Sequence, residues 1–283
     1  VNNSVRAIAI QPDGRAILTG SFTSVDGVNR NRIARLNYDG SVDGTFNPGG
    51  GADNPVQTVM LQPDGKVLIG GDFASYNGYN RSRFARLNSD GSLDQDFDIG
   101  TGADLVVNAI ALQPDGRVVV VGDFAHFNGA PLRGIARLNA DGSIDDSFNP
   151  GVGFNDSVRL VEVQEDGRIL VGGFFTEFNG AVRNRVARLM PDGSLDGSFD
   201  VGAGANGSVY SMAVQSDGKI LVGGSFSTFN NLNRSGIVRL NPDGSVDTGI
   251  NFGTGANGSV LDIAVLPNYK ILIGGGFTLF DGL

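Results

Sequence analysis

Short apolar segments of strand length alternate along this chain with clusters of glycine, proline, asparagine and aspartate. Residues 5–11 alternate apolar and polar, Pro12-Asp13-Gly14 follows, and residues 16–22 form an apolar run. The pattern predicts two strands joined by a tight three-residue turn, because proline pre-sets φ at the first turn position and glycine accepts the positive φ of the last. A loop over residues 23–31 leads to a third predicted strand, 32–37. Asp39-Gly40 then turns the chain into a fourth, 41–46. The glycine-rich stretch 47–55 carries no helix signal.

This unit recurs every 51 residues, starting at Val5, Val56, Val107, Val158, Val209 and Val260, without insertion or deletion. Phe22, Arg35 and Asp43 each head a column of identical residues at that spacing. A repeat of this length holding several strands is a supersecondary unit that stacks on its neighbours. Four antiparallel strands per unit predict an all-β fold, a β-propeller of four-stranded blades. It spans one domain over 1–283, with units 5–55, 56–106, 107–157, 158–208 and 209–259 and a partial sixth at 260–283. A β-solenoid fits less well, since its coils pair in parallel whereas Asp-Gly turns require local hairpins. Second strands such as residues 118–121 are apolar throughout, as expected of a blade buried between two others. The arginine and aspartate columns are expected to face each other across the third and fourth strands, for example Arg86 and Asp94.

The segments IAIQPDGRAILTGSF and IARLNYDGSVDGTFNPGGG, with the ordered recurrence of QPDG, GGxF, FNG, IARLN and DGSxD over the whole chain, resemble the delta-60 repeat. That bacterial family of unknown function is classed as a β-propeller. The resemblance implies the fold and a place in long proteins that are often secreted or surface-attached; it brings no catalytic residues. Leu266, Tyr269 and Met190 depart from the motif and are expected to loosen local turns without changing the blade.

Composition narrows the partners. A net charge of −9 with no basic cluster argues against nucleic acid. No apolar run approaches the ~18 residues of a membrane span. The absence of cysteine removes disulfides and thiolate sites. With neither a signal peptide nor an initiator Met, Val1 reads as a processed end or fragment boundary. The sixth unit stops after two strands, so a protein partner or further repeats of the same chain are expected to complete its open edge.

Candidate chemistry is sparse. His126 is the only histidine and sits in a column of Ser24, Ser75, Glu177, Thr228 and Leu279, which reads as a solvated loop position. Asn37, Asp39, Ser41 and Asp43 space oxygens around Gly40 like the first half of a calcium loop, with weak Ca2+ affinity at best; the competing reading is a bulged hairpin carrying an Arg35–Asp43 pair. No other cofactor is expected. Tyr76, Phe127, Phe178, Phe229 and Phe280 form an aromatic loop column, which serves either as a loop anchor or as a rim for a glycan or protein ligand. Sequons at Asn2, Asn155, Asn206, Asn257, Asn80 and Asn233 fall in turn columns, where asparagine and serine are also good turn formers. The expected function is a non-enzymatic structural or interaction module of a secreted or surface-exposed assembly: a surface protein, fibre or phage-like appendage. A carbohydrate-binding adhesion propeller is the alternative, and a hydrolase or lyase has only fold analogy behind it.

Overall fold

In the computed structural model, which describes all 283 residues, every regular element is a β-strand. The chain divides into two compact units, Val1–Ser147 and Phe148–Leu283, where the sequence reads as one domain. The boundary follows a phenylalanine column. In the first unit a Cβ added at Gly91 would stand 2.9 Å from the Phe46 ring of the preceding copy, and in the second Gly193 would meet Phe148 at 3.0 Å. The phenylalanine closing one copy thus packs into the next, so Phe148 groups with the copy that follows it.

The first unit holds three antiparallel three-stranded sheets: Val5–Ile10, Ala16–Gly20 and Ile33–Leu36; Val56–Leu61, Val67–Gly71 and Phe84–Leu87; Val107–Leu112, Val118–Gly122 and Ile135–Leu138. The second holds Val158–Val163, Ile169–Gly173 and Val186–Leu189; Val209–Val214, Ile220–Gly224 and Ile237–Leu240; and a two-stranded sheet, Val260–Val265 with Ile271–Gly275. Spatial order follows chain order in each sheet, and within each unit the first strands of successive blades lie side by side. Second strands such as Val118–Gly122 and Ile220–Gly224 are buried along their whole length. The phenylalanines that follow them, Phe22, Phe73, Phe124, Phe175 and Phe226, are buried too, and Phe277 is half-buried. Glycine at the strand end is required by close approach: a Cβ at Gly71 would lie 2.3 Å from the Pro55 carbonyl oxygen.

The first turn has the expected form. Gln11 N–H donates to the Arg15 carbonyl at 2.8 Å, Gly14 N–H donates back to Gln11 at 2.9 Å, and Gly14 has φ 81°. The fourth strand, by contrast, shrinks to a single bridge, Leu36 to Val42, repeated in five copies. Its cause is Asp43, whose Oδ1 accepts from Thr45 N–H at 2.8 Å and Thr45 Oγ1 at 2.7 Å and so bends the chain before a strand can extend. The loop 23–31 in turn contains an unforeseen two-residue hairpin, Ser24–Val25 with Val28–Asn29, turned by Asp26 (φ 47°) and Gly27 (φ 75°). Two consecutive left-handed residues are what a type I′ turn needs, and Asn-Gly or Asp-Gly supplies them.

The arginine–aspartate register is as expected. Arg86 Nε lies 2.7 Å from Asp94 Oδ2, and the equivalent pairs from Arg35–Asp43 to Arg239–Asp247 lie within 2.7–2.8 Å. Both partners of the Arg86–Asp94 pair are buried, and each aspartate takes a second cation from the preceding turn, Lys66 Nζ on Asp94 at 2.8 Å. Within a unit the arginine also reaches forward, Arg86 Nη1 donating to the Ala140 carbonyl of the next copy at 2.6 Å while its guanidinium lies 4.2 Å over the Phe97 ring. In the fifth copy the Gly249 N–H and Lys219 hydrogen bonds, with Arg239 beside them, outweigh burial and hold the Asp247 carboxyl down at about 2.

Two outcomes test these assignments. Replacing Arg86 by Ala is expected to lower stability by about 3 kcal/mol, since a buried carboxylate loses its closest partner. Replacing the partly exposed Lys66 on the same Asp94 should cost no more than ~1 kcal/mol; equal losses in denaturant melts would refute the distinction. Tyr269 occupies the turn-glycine position with φ 62°, so Tyr269→Gly should raise stability by roughly 0.5–1 kcal/mol as left-handed strain is relieved, read from the midpoint of the same melts.

Candidate functional site

The structure corrects the aromatic rim. Tyr76, Phe127, Phe178 and Phe229 are fully buried and Phe280 is half-buried, so none of the first four presents a ring to a ligand. Each is an anchor: Phe124 and Phe127 meet edge to face at 5.8 Å, and Tyr76 donates its hydroxyl to the Gly91 carbonyl at 2.8 Å. The following asparagine explains the FNG motif. Left-handed Asn77 accepts the Gly50 N–H at 2.8 Å, tying the glycine-rich linker to the loop hairpin that follows it.

The calcium-like motif is likewise taken up by its own turn. Asp39 Oδ1 accepts from Ser41 N–H and Oγ, Asn37 Nδ2 donates to Ser41 Oγ, and Asp43 faces Arg35 and Arg15 instead. Asn37, Asp39, Ser41 and Asp43 are therefore not brought together as a ligand set; the bulged-hairpin reading describes them. The sequon column is also engaged. Asn206 Oδ1 accepts the Ser227 and Thr228 N–H groups while its Nδ2 donates to Ser227 Oγ at 2.9 Å, and Asn2 and Asn155 do the same with Thr23 and Thr176.

With the repeated polar groups accounted for, the departures from the repeat stand out. Glu162 replaces the Ala9, Met60, Ala111, Ala213 and Ala264 of its column, and Glu165 and Ser216 replace Pro12, Pro63, Pro114 and Pro267. All three line one cleft of about 580 Å³ between the first strands and turns of the fourth and fifth copies, with Gln164, Asp166 and Gln215. Burial pushes the Glu162 carboxyl up, against a hydrogen bond from the Val214 backbone. Burial also works on Asp166, but the Arg168 backbone and side chain hold that carboxyl down. The cleft thus combines three carboxyl groups, two amides and a hydroxyl, with no cation among its lining residues. Such a surface attracts cations and hydrogen-bond donors and repels anions. Sequence reasoning missed it because it followed the repeat; the signal was three costly substitutions at neighbouring positions of adjacent copies. An acidic side chain in a half-buried alanine column, and turns without their proline, do nothing for the fold.

Comparison with known proteins places the fold. The family model described as domain of unknown function (DUF5122) beta-propeller matches residues 11–46, 62–97, 113–148, 164–199 and 215–249. No curated protein matches the chain. Among solved structures, the WD40 β-propeller domain of Doa1 superposes with a TM-score of 0.58 at 14% identity, over 95% of this chain and 75% of that one. The extracellular domain of a putative one component system from B. thetaiotaomicron gives 0.56 at 14%, over 96% of this chain and 37% of its own. A catalytically inactive virginiamycin B lyase from Staphylococcus aureus, solved with quinupristin, gives 0.55 at 14%, over 96% and 84%. At these identities the likeness is one of fold, and the all-β propeller architecture is established by it.

The cost of Glu162 is measurable. A carboxyl whose pKa is raised in the folded state leaves stability intact below the unfolded value, ~4.3, and subtracts from it as pH rises through the folded value. Glu162→Ala, which restores the residue of four other copies, should therefore stabilise the chain by about 1 kcal/mol at pH 7 and leave it unchanged near pH 4. Denaturant melts at the two pH values check this; a gain equal at both would show that the carboxyl charge is not the cause.

Proposed function

Because the chain belongs to the DUF5122 β-propeller family, and its recurring polar side chains are used to hold turns and blades, we propose that it is a non-enzymatic interaction module of a secreted or surface-exposed assembly. The observation that carries this reading is the acidic cleft of Glu162, Glu165 and Asp166, where departures from the repeat gather at a cost to the fold. Its chemistry suits lysine or arginine side chains of a protein partner, which the net charge of −9 would also steer toward the chain. The extracellular domain from B. thetaiotaomicron, alike in fold, lends support to a surface location at the level of architecture alone.

A second contact belongs to the same reading. Strand Ile271–Gly275 pairs on one side only, and beside it Ile237, Phe252, Ile273, Phe277 and Phe280 line an apolar cavity of about 350 Å³. A strand from a protein partner or from a further repeat would pair with that edge and fill the cavity, as the third strand does in the other blades.

Isothermal titration with a short lysine-rich peptide, at low salt and at 0.5 M salt, tests the cleft. Binding is expected at low salt and should weaken about tenfold in a variant combining Glu162→Ala with Glu165→Pro, for the loss of two charges facing the ligand. Binding unchanged by that variant would mean the peptide reads only the general acidity of the surface, and the proposal for the cleft would fail.

A further inference from the structure

Between the loops of the second and third copies lies a separate cavity of about 520 Å³, lined by Ser82, Arg83, Thr101, Asp104 and His126 together with small residues. Its columns recur at other junctions, so the other copies show what each side chain does when it only serves the fold. At the linker position Asn2, Asn155, Asn206 and Asn257 donate their amides to a hydroxyl at Thr23, Thr176, Ser227 and Thr278. In the second and third copies that hydroxyl is replaced by Ala74 and Ala125 and the amide by Asp53 and Asp104, and the third alone adds a histidine beside them. Asp104 still caps the Ala125 N–H through Oδ1 at 2.9 Å, and its Oδ2 takes His126 Nδ1 at 2.9 Å. One ring nitrogen is thereby fixed, and Nε2 is the remaining polar atom of a side chain that is 55% exposed.

Arg83 shares its column with Arg32 and Arg185, which are left-handed as well, but its head group is held differently. Its φ is 68°, at a position where the third and fifth copies place Gly134 and Gly236 with φ 74° and 73°. A left-handed arginine costs roughly 1–2 kcal/mol, so its head group has to offset the strain. In the first and fourth copies Arg32 and Arg185 donate through Nη1 to the Phe22 and Phe175 carbonyls, at 3.4 Å in both. Arg83 has no such carbonyl bond. Its Nε, like those of Arg32 and Arg185, is buried without a hydrogen-bond partner, and its ion-pair partner Asp72 stands 3.6 Å away on a side chain that is 49% exposed. The guanidinium is held in place at a cost and left underused.

We infer that this cavity binds a sugar bearing a carboxylate, with Arg83 taking the carboxylate and Asp104, His126, Ser82 and Thr101 taking the hydroxyls. The planar guanidinium fork matches a carboxylate in two parallel hydrogen bonds, and Asp72 is free to turn to water as the ligand arrives. Sugar hydroxyls both donate and accept. Asp104 supplies acceptors, and the two hydroxyls and the imidazole supply both roles. A phosphate would set up to two negative charges against Asp72 and Asp104, and a bare carboxylate would leave Ser82, Thr101 and Asp104 without a function. The volume lies within the range of small-ligand sites.

The single histidine makes the test direct, because its ring C–H signals in an NMR spectrum of the whole chain belong to His126 alone. Titration with glucuronate is expected to give a saturable shift, with glucose and acetate at least about tenfold weaker because each lacks half of the recognised groups. Arg83→Gly should abolish the glucuronate shift; it keeps the backbone conformation of Gly134 and Gly236, and a melt confirms that it folds. Arg83→Lys, with charge but no fork, should bind more weakly than the parent. No saturable shift with glucuronate would overturn the inference. So would an equal response to acetate, or a shift that survives Arg83→Gly.

Discussion

A strand that is apolar on both faces cannot be satisfied by the hairpin that contains it, and this constraint governs the rest of the molecule. Residues 67–71 and 220–224 bury every side chain, which requires a blade before and a blade after. In the sixth copy Ile271–Gly275 carries the same sequence pattern, yet Leu272 is exposed, because burial there depends on what packs against it and not on its own residues. Stability of such an array is therefore held largely in the junctions between blades. The side chains that cross those junctions are the ones repeated most faithfully.

Arg86 illustrates how one repeated residue can serve three levels of structure. Its ion pair with Asp94 fixes the register of the last hairpin, its stacking on Phe97 covers an aromatic ring, and its bond to the Ala140 carbonyl ties one blade to the next. A buried ion pair is an expensive way to gain stability alone, since desolvation offsets most of the attraction. Its value here lies in geometry, because only one register and one blade spacing satisfy all three contacts at once.

The same economy separates structure from function in a repeat protein. Polar groups that recur, such as Asp39 with Ser41 or Asn206 with Ser227, are satisfied internally in copy after copy. Polar groups that do not recur have no such explanation. Glu162 and His126 stand alone in their columns and each lines a cavity, and Glu162 imposes a cost on the fold through burial of its carboxyl. Within one chain the neighbouring copies act as internal controls for what folding alone requires.

Periodicity and turn chemistry made the blades legible from sequence, because a three-residue Pro-Asp-Gly loop and an Asp-Gly bulge leave the backbone little choice of hairpin. They also place Arg35 opposite Asp43, because the bulged turn fixes the register of the hairpin. The fourth strand was not legible: residues 41–46 have strand character, but Asp43 is bent by its bonds to Thr45, a competition between side chain and ladder that pattern alone does not resolve. The aromatic column was ambiguous for a related reason. A loop phenylalanine looks the same in sequence whether it caps a core or faces water, and only the packing of Phe124 on Phe127 and of Tyr76 on Gly91 decided it. Both cavities lay beyond the sequence reading, since residues a blade apart in the chain become neighbours only when the blades stack.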